Sequence, residues 1–170
     1  MSRFQWISFV FIAVLLGSGF AGTAKAEPTI SMSGEGWKGK KTFRGVEYSC
    51  EVPACGGIAF VNLTRTKALS NTEEELNKPY VNIRAVVNSI ILYTNDGQYG
   101  GWNFSEITKK KTGDYTAVYI NGTLEDIDIA MMLIIQGGKM FMLSSVAESK
   151  SLARANLAKA FRSGDFRRPG

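Results

Sequence analysis

The sequence predicts an α+β domain: an antiparallel sheet of about six strands with two main helices packed on it, preceded by a signal peptide. Three observations predict it. Short apolar segments, alternating or continuous, are bounded by turn residues, as strands are. Two longer segments repeat their apolar residues at helical spacing. The elements come in the order strand, strand, helix, several strands, helix, which places helices on an antiparallel sheet.

The first 26 residues have the three parts of a secretory signal. Arg3 is the positive n-region, Ile7 to Leu16 the uncharged apolar stretch, and Gly17 to Ala26 a small-residue region ending Ala24-Lys25-Ala26. A membrane span needs roughly 20 apolar residues, and this run is shorter. The expectation is cleavage after Ala26, release into a periplasm or the outside, and no stable membrane insertion afterwards. The leader carries Arg3 and Lys25, so removing 26 of 170 residues leaves 144 and takes Lys plus Arg from 20 to 18, against 15 Asp plus Glu. A mildly basic exported chain of this length is a single domain and a poor candidate for nucleic acid. Residues 27–41 read as a flexible leader anchored by Trp37, 42–166 as the domain and 167–170 as a tail.

Cys50 and Cys55 are the two cysteines. In an oxidising compartment their spacing suits a structural disulfide across a turn, with free thiols or a redox-active pair as the alternatives. The strands on either side are residues 43–50, with Phe43, Val46, Tyr48 and Cys50 as apolar members, and residues 57–65. Ile83, Val86, Val87, Ile90 and Ile91 mark the first main helix. Asn77 is its expected cap, Pro79 falls in its first turn, and Gly97 is its expected stop. Thr72 and Glu75 spell a capping box, so a short helical turn is expected just upstream.

Trp102, Phe104 and Glu106 open a strand, Lys109 to Asp114 read as a turn, and Asn121-Gly122 as a further turn or bulge. Ile127 to Ile135 and Met140 to Leu143 are near-continuous apolar runs joined at Gly137-Gly138, which predicts a hairpin of central strands covered on both faces. The second main helix is expected from Ser149 to Arg162, with Ala153, Leu157, Ala160 and Phe161 inward and Gly164 as its end.

The closing order is an apolar strand, a Gly-Gly turn, the strand Lys139-Met140-Phe141-Met142-Leu143-Ser144, then an alanine-rich helix. It resembles the last unit of the PsbP/Mog1-like α/β sandwich, and the earlier helix after two strands agrees with that family. The resemblance implies the family's fold. It also implies a role like those of its members, which share no single activity and are mostly binding and assembly accessories. It carries over no functional residue.

Histidine is absent, which removes the usual neutral-pH general base and the commonest zinc ligand. No cofactor or metal site is expected. The acidic cluster Glu125, Asp126 and Asp128 suggests a carboxylate pair, oxygen ligands for calcium, or a solvated turn that blunts an apolar strand entrance, and the last reading is preferred. The candidate binding surface is Trp37, Tyr99, Trp102 and the basic run Lys109, Lys110 and Lys111. The function expected is an exported, non-catalytic binding or accessory protein of the cell envelope, with a protein or glycan partner. The alternatives are an exported inhibitor of a hydrolase, presenting Glu51 to Ala54, and a carboxylate-dependent glycan hydrolase.

Overall fold

The computed structural model describes residues 28–67, 71–94, 102–112, 115–136 and 138–166. The leader peptide and the 167–170 tail lie outside these residues. In chain order the elements are β1 (Lys38–Thr42), β2 (Gly45–Cys50), β3 (Ala59–Lys67), α1 (Thr72–Asn77), α2 (Ile83–Thr94), β4 (Trp102–Thr112), β5 (Tyr115–Leu124), β6 (Ile127–Gln136), β7 (Lys139–Ala147) and α3 (Lys150–Ser163). All strand pairs are antiparallel, in the order β1-β2-β3-β7-β6-β5-β4. The α+β class is as expected. The sheet has seven strands rather than about six, and a third, short helix is present.

The register explains the continuous apolar run of β6. Successive side chains on a strand point to opposite faces, so Met132 and Ile134 reach one core and Met131, Leu133 and Ile135 the other. On the first face, Val61, Leu63 and Leu143 join them under Ala153, Leu157 and Ala160 of α3. On the second, Val118, Ile120 and Met140 lie under Leu76 of α1 and Val87, Ile90 and Ile91 of α2. The four methionines Met131, Met132, Met140 and Met142 all belong to these cores.

The short helix expected near Thr72 is present as α1, but its N-cap is Asn71, left-handed at φ 74° and without a side-chain cap bond, so Thr72 is not the cap of a capping box. The two longer helices do start on side-chain caps. Ser149 caps α3, its hydroxyl accepting from the Leu152 N–H at 3.3 Å. Asn82 rather than Asn77 caps α2: its Oδ1 accepts from the Ala85 N–H at 3.1 Å, and Pro79 lies before the helix. Asn77 closes α1 instead and accepts from the Thr116 hydroxyl. The expected stop at Gly97 lies outside the described residues. Gly164 does end α3, but with an extended φ of −86°. Its missing side chain is needed because a Cβ there would sit 2.2 Å from the Phe166 ring, which stacks on Phe161 at 5.3 Å.

Two other readings shift. Lys109–Lys111 lie inside β4, which runs to Thr112, so they are not a turn. Asn121-Gly122 lies within β5, and the bulge is in the partner strand, between Phe104 and Glu106. A Cβ on Gly122 would meet the Asn103 carbonyl oxygen at 2.1 Å, so the bulged strand is close enough to require glycine.

The stretch expected to be a loose leader is structured from Pro28 onward. Ile30 and Met32 are buried against the first core. Tyr48 donates to the Ile30 carbonyl at 3.0 Å, Ser31 N–H donates to the Ser163 hydroxyl at 2.8 Å, and Lys159 donates to the Ser33 carbonyl. This strap ties β2 to the end of α3, and β1 follows it as an exposed edge strand.

Candidate functional site

The expected cysteine pair is bonded. Cys50 ends β2, Cys55 lies in a single helical turn from Pro53, and their Cα atoms are 6.4 Å apart. Such a bond persists in an oxidising compartment. The Glu51–Ala54 loop it closes is exposed throughout. Just after it, Glu148 accepts from the Ile58 N–H at 3.3 Å, tying the segment that enters β3 to the end of β7.

The sequence-derived binding residues do not form one surface. Trp37 is half-buried against the first core. Trp102 is half-buried against the second, its ring 5.8 Å from that of Phe104. Tyr99 lies outside the described residues. Lys109 donates to the Leu76 carbonyl at 2.7 Å, so it ties the end of α1 to β4. Lys110 and Lys111 are exposed. Trp37 and Trp102 thus pack on opposite faces of the sheet and at its two opposite edges, beside β1 and at the start of β4.

The acidic cluster has a backbone explanation. Glu125 and Asp126 are the two residues of the β5–β6 turn, with φ of 48° and 67°. A two-residue hairpin with both residues left-handed favours Asp, Asn and Gly. Asp128 is already in β6, opposite Thr123 and Ala147. Asp126 and Asp128 therefore do not form the same-side pair on a strand that a two-carboxylate mechanism was expected to use. Among the described residues, no three of His, Cys, Asp and Glu come together as metal ligands would.

The arrangement the structure does assemble lies beside α3. That helix covers mainly β3, β7 and β6, and β5 and β4 extend past it as a ledge. Arg154 of α3 reaches onto the ledge: its Nε donates to Asn121 Oδ1 at 3.1 Å and its Nη2 to the Glu106 carboxylate. Asn121 Nδ2 donates to the same carboxylate at 3.3 Å. The β4 bulge is what turns Glu106 toward Asn121, since Trp102 to Phe104 pair one register earlier. Tyr119 and Tyr115 continue the row on β5, both half-buried, and Tyr115 meets Phe161 of α3 edge-on at 6.2 Å. Burial first, and then the neighbouring Tyr115, hold the Tyr119 hydroxyl above its ordinary value of 10.0, so it stays a neutral donor.

Sequence reading missed this row because its members are 48 residues apart at the widest. It also missed Phe43, expected among the apolar members of a strand. Phe43 is 93% exposed at the β1–β2 turn. The only local signal was Gly45 just after it, at the start of β2, beside a basic stretch that itself forms β1.

Among the described residues no helix is long and apolar enough to cross a membrane. No family model matches the chain, and a comparison with curated proteins gives no match. Solved structures do match. The chain is similar to the solution structure of cyanobacterial PsbP (CyanoP) from Synechocystis sp. PCC 6803, with a TM-score of 0.55 and 11% identity over 88% of this chain and 97% of that one; the likeness is one of fold, and it is the sandwich that the closing strands and helix resemble in sequence order.

Proposed function

We propose that the chain is an exported, non-catalytic binding or accessory protein of the cell envelope, released after cleavage at Ala26. The observation that carries this is the PsbP-like sandwich with a ledge of tyrosines and a fixed arginine left uncovered beside α3. Tyr115 and Tyr119 offer apolar area with polar tips, and Arg154 is already oriented by Glu106 and Asn121. Half-buried tyrosines beside a positioned arginine are the residue types that carry binding energy at protein surfaces. The disulfide-closed loop supports export, and members of the resembled family are mostly accessories.

The test is cross-linked capture from envelope extract with the chain starting at Glu27, beside the Arg154→Ala and Tyr119→Ala variants. The expected result is one partner recovered by the parent chain and lost with either variant, both variants remaining folded. A partner retained equally by both variants overturns the ledge as the site. Mass spectrometry of the exported product should give an N-terminus at Glu27 and a mass that includes the closed disulfide.

A second reading, a hydrolase inhibitor, is favoured by one observation: every residue of the Glu51–Ala54 loop is exposed, and Val52 is among the few large apolar side chains left in water among the described residues. Cys50→Ser should then weaken inhibition. Equal potency in a folded variant removes the loop from that reading.

A further inference from the structure

The β1–β2 hairpin gathers positive charge around an exposed ring. Phe43, at its turn, is 93% exposed. Around it are Lys40 and Lys41 on β1, both exposed, and Arg44 beside it in the turn, whereas Lys38, opposite Ser49, lies at the other end of β1. Gly45 pairs with Thr64, and the Arg44 carbonyl accepts from the Arg65 N–H at 2.8 Å, so the two arginines lie opposite each other on adjacent strands. Like charges directly opposite oppose strand pairing. Glu47, opposite Lys40, is the one acid on these two strands before Glu51.

The other end of the sheet carries the opposite charge. Glu51 follows β2, Glu148 follows β7, and Glu125, Asp126 and Asp128 form the β5–β6 turn and its exit. The register Cys50–Ala59–Ala147–Asp128 places these at one level across the sheet. The hairpin tip itself is cationic around an aromatic ring, with Glu73 the acid placed at that end by its bond to the Gly138 N–H, and the disulfide end is mainly anionic, with Lys38 opposite Ser49 among its acids.

We propose that the β1–β2 hairpin docks on an anionic phospholipid bilayer, with Phe43 entering the interface and Lys40, Lys41, Arg44 and Arg65 meeting lipid phosphates. An aromatic ring among cations is what an interfacial anchor requires: the ring sits at headgroup depth, and the bases find phosphates within a Debye length. The acidic far end is repelled by the same surface, which fixes the orientation with the hairpin down. Gly45 permits the close approach of the hairpin to β3, since a Cβ there would lie 1.8 Å from the Leu63 carbonyl oxygen. The tip is consequently held rigidly by β3 rather than floating. Docking of this kind is peripheral and needs no spanning helix.

The experiment is co-sedimentation of the chain from Glu27 to Gly170, which contains every described residue, with vesicles of phosphatidylcholine and phosphatidylglycerol in equal parts and with phosphatidylcholine alone. The expected result is partition to the anionic vesicles only, weakened by salt. Phe43→Ser should lower it about tenfold, and Lys41→Glu with Arg44→Glu should abolish it. Thermal melting of Phe43→Ser should match the parent, because that side chain is exposed, and Lys41→Glu with Arg44→Glu should melt no lower, because it places an acid beside Arg65. Equal partition to neutral vesicles, partition unchanged in both variants, or no partition at all overturns the proposal. None of these results touches the ledge, so a failure here is distinct from a failure of the partner-capture test.

Discussion

Strands β6 and β1 sit at the centre and the edge of one sheet and obey opposite rules. In β6, Ile129 to Ile135 are all buried, shared between two cores. In β1 every residue is exposed, and three of the five are lysine. A central strand is chosen by packing, so its sequence is constrained at every position. An edge strand is chosen by what it must avoid or meet: lysines blunt pairing with other chains, and they also supply charge to a surface. Burial is concentrated at the centre and exposed charge at the rim.

The sharpest break of that contrast is Leu133→Ala. Leu133 is fully buried between β5 and β7 under α2. Truncation should cost about 2–5 kcal/mol through lost burial and the cavity left behind. Urea unfolding followed by circular dichroism measures it, and Phe43→Ser is the edge counterpart, expected within about 0.5 kcal/mol of the parent. Similar losses for the two would erase the distinction between centre and edge.

This contrast also explains what was legible in the sequence. β6, β7 and α3 were readable because burial on one or two faces writes a period into consecutive residues, and the Gly138 turn punctuates it with φ of 72°. β1 was not, because an exposed lysine-rich edge has no apolar period and reads as leader. The strap was missed for a related reason: Ile30 and Met32 alternate over too few residues to register, yet both are buried by contacts made far along the chain. The ledge was invisible because Glu106, Asn121 and Arg154 come from three elements, and a bulge sets the pairing. The cysteine pair was readable because compartment and spacing suffice.

The next largest effect is at the rim of the first core. Cys50→Ser opens a loop closed over 5 positions. Removing so short a closure should cost about 2 kcal/mol in the chain-entropy account, read as a shift in the denaturation midpoint under non-reducing conditions. Under reducing conditions parent and variant should coincide. A variant no less stable than the oxidised parent would show that the brace limits the loop without stabilising the fold. Arg154→Ala comes after it. The pair with Glu106 is about half-exposed on each side, and exposed pairs contribute only about 0–1 kcal/mol. A small stability change with complete loss of partner capture would place the ledge with the edge strand as a recognition element. A large stability change would place it with the centre.

The smallest effect is a pH dependence at Tyr119. Its folded-state value is raised above 10.0, first by burial and then by Tyr115. The folded state therefore holds the phenolic proton more tightly than the unfolded state. Its contribution is fully present below pH 10.0 and is lost as pH rises through the raised value. Lys78 is also raised, first by its hydrogen bond to Glu75, and loses its contribution in the same direction. The informative comparison is thus Tyr119→Phe against the parent, with Lys78 unchanged in both. Phenylalanine keeps the ring on the ledge and removes the proton, so the alkaline decline of the variant should be shallower while its stability near neutrality is close to the parent's. Two declines of the same slope would mean that the Tyr119 hydroxyl is as free in the folded chain as in the unfolded one. The ledge would then be fully wet, and its tyrosines would behave like the lysines of β1 rather than like the edge of the core.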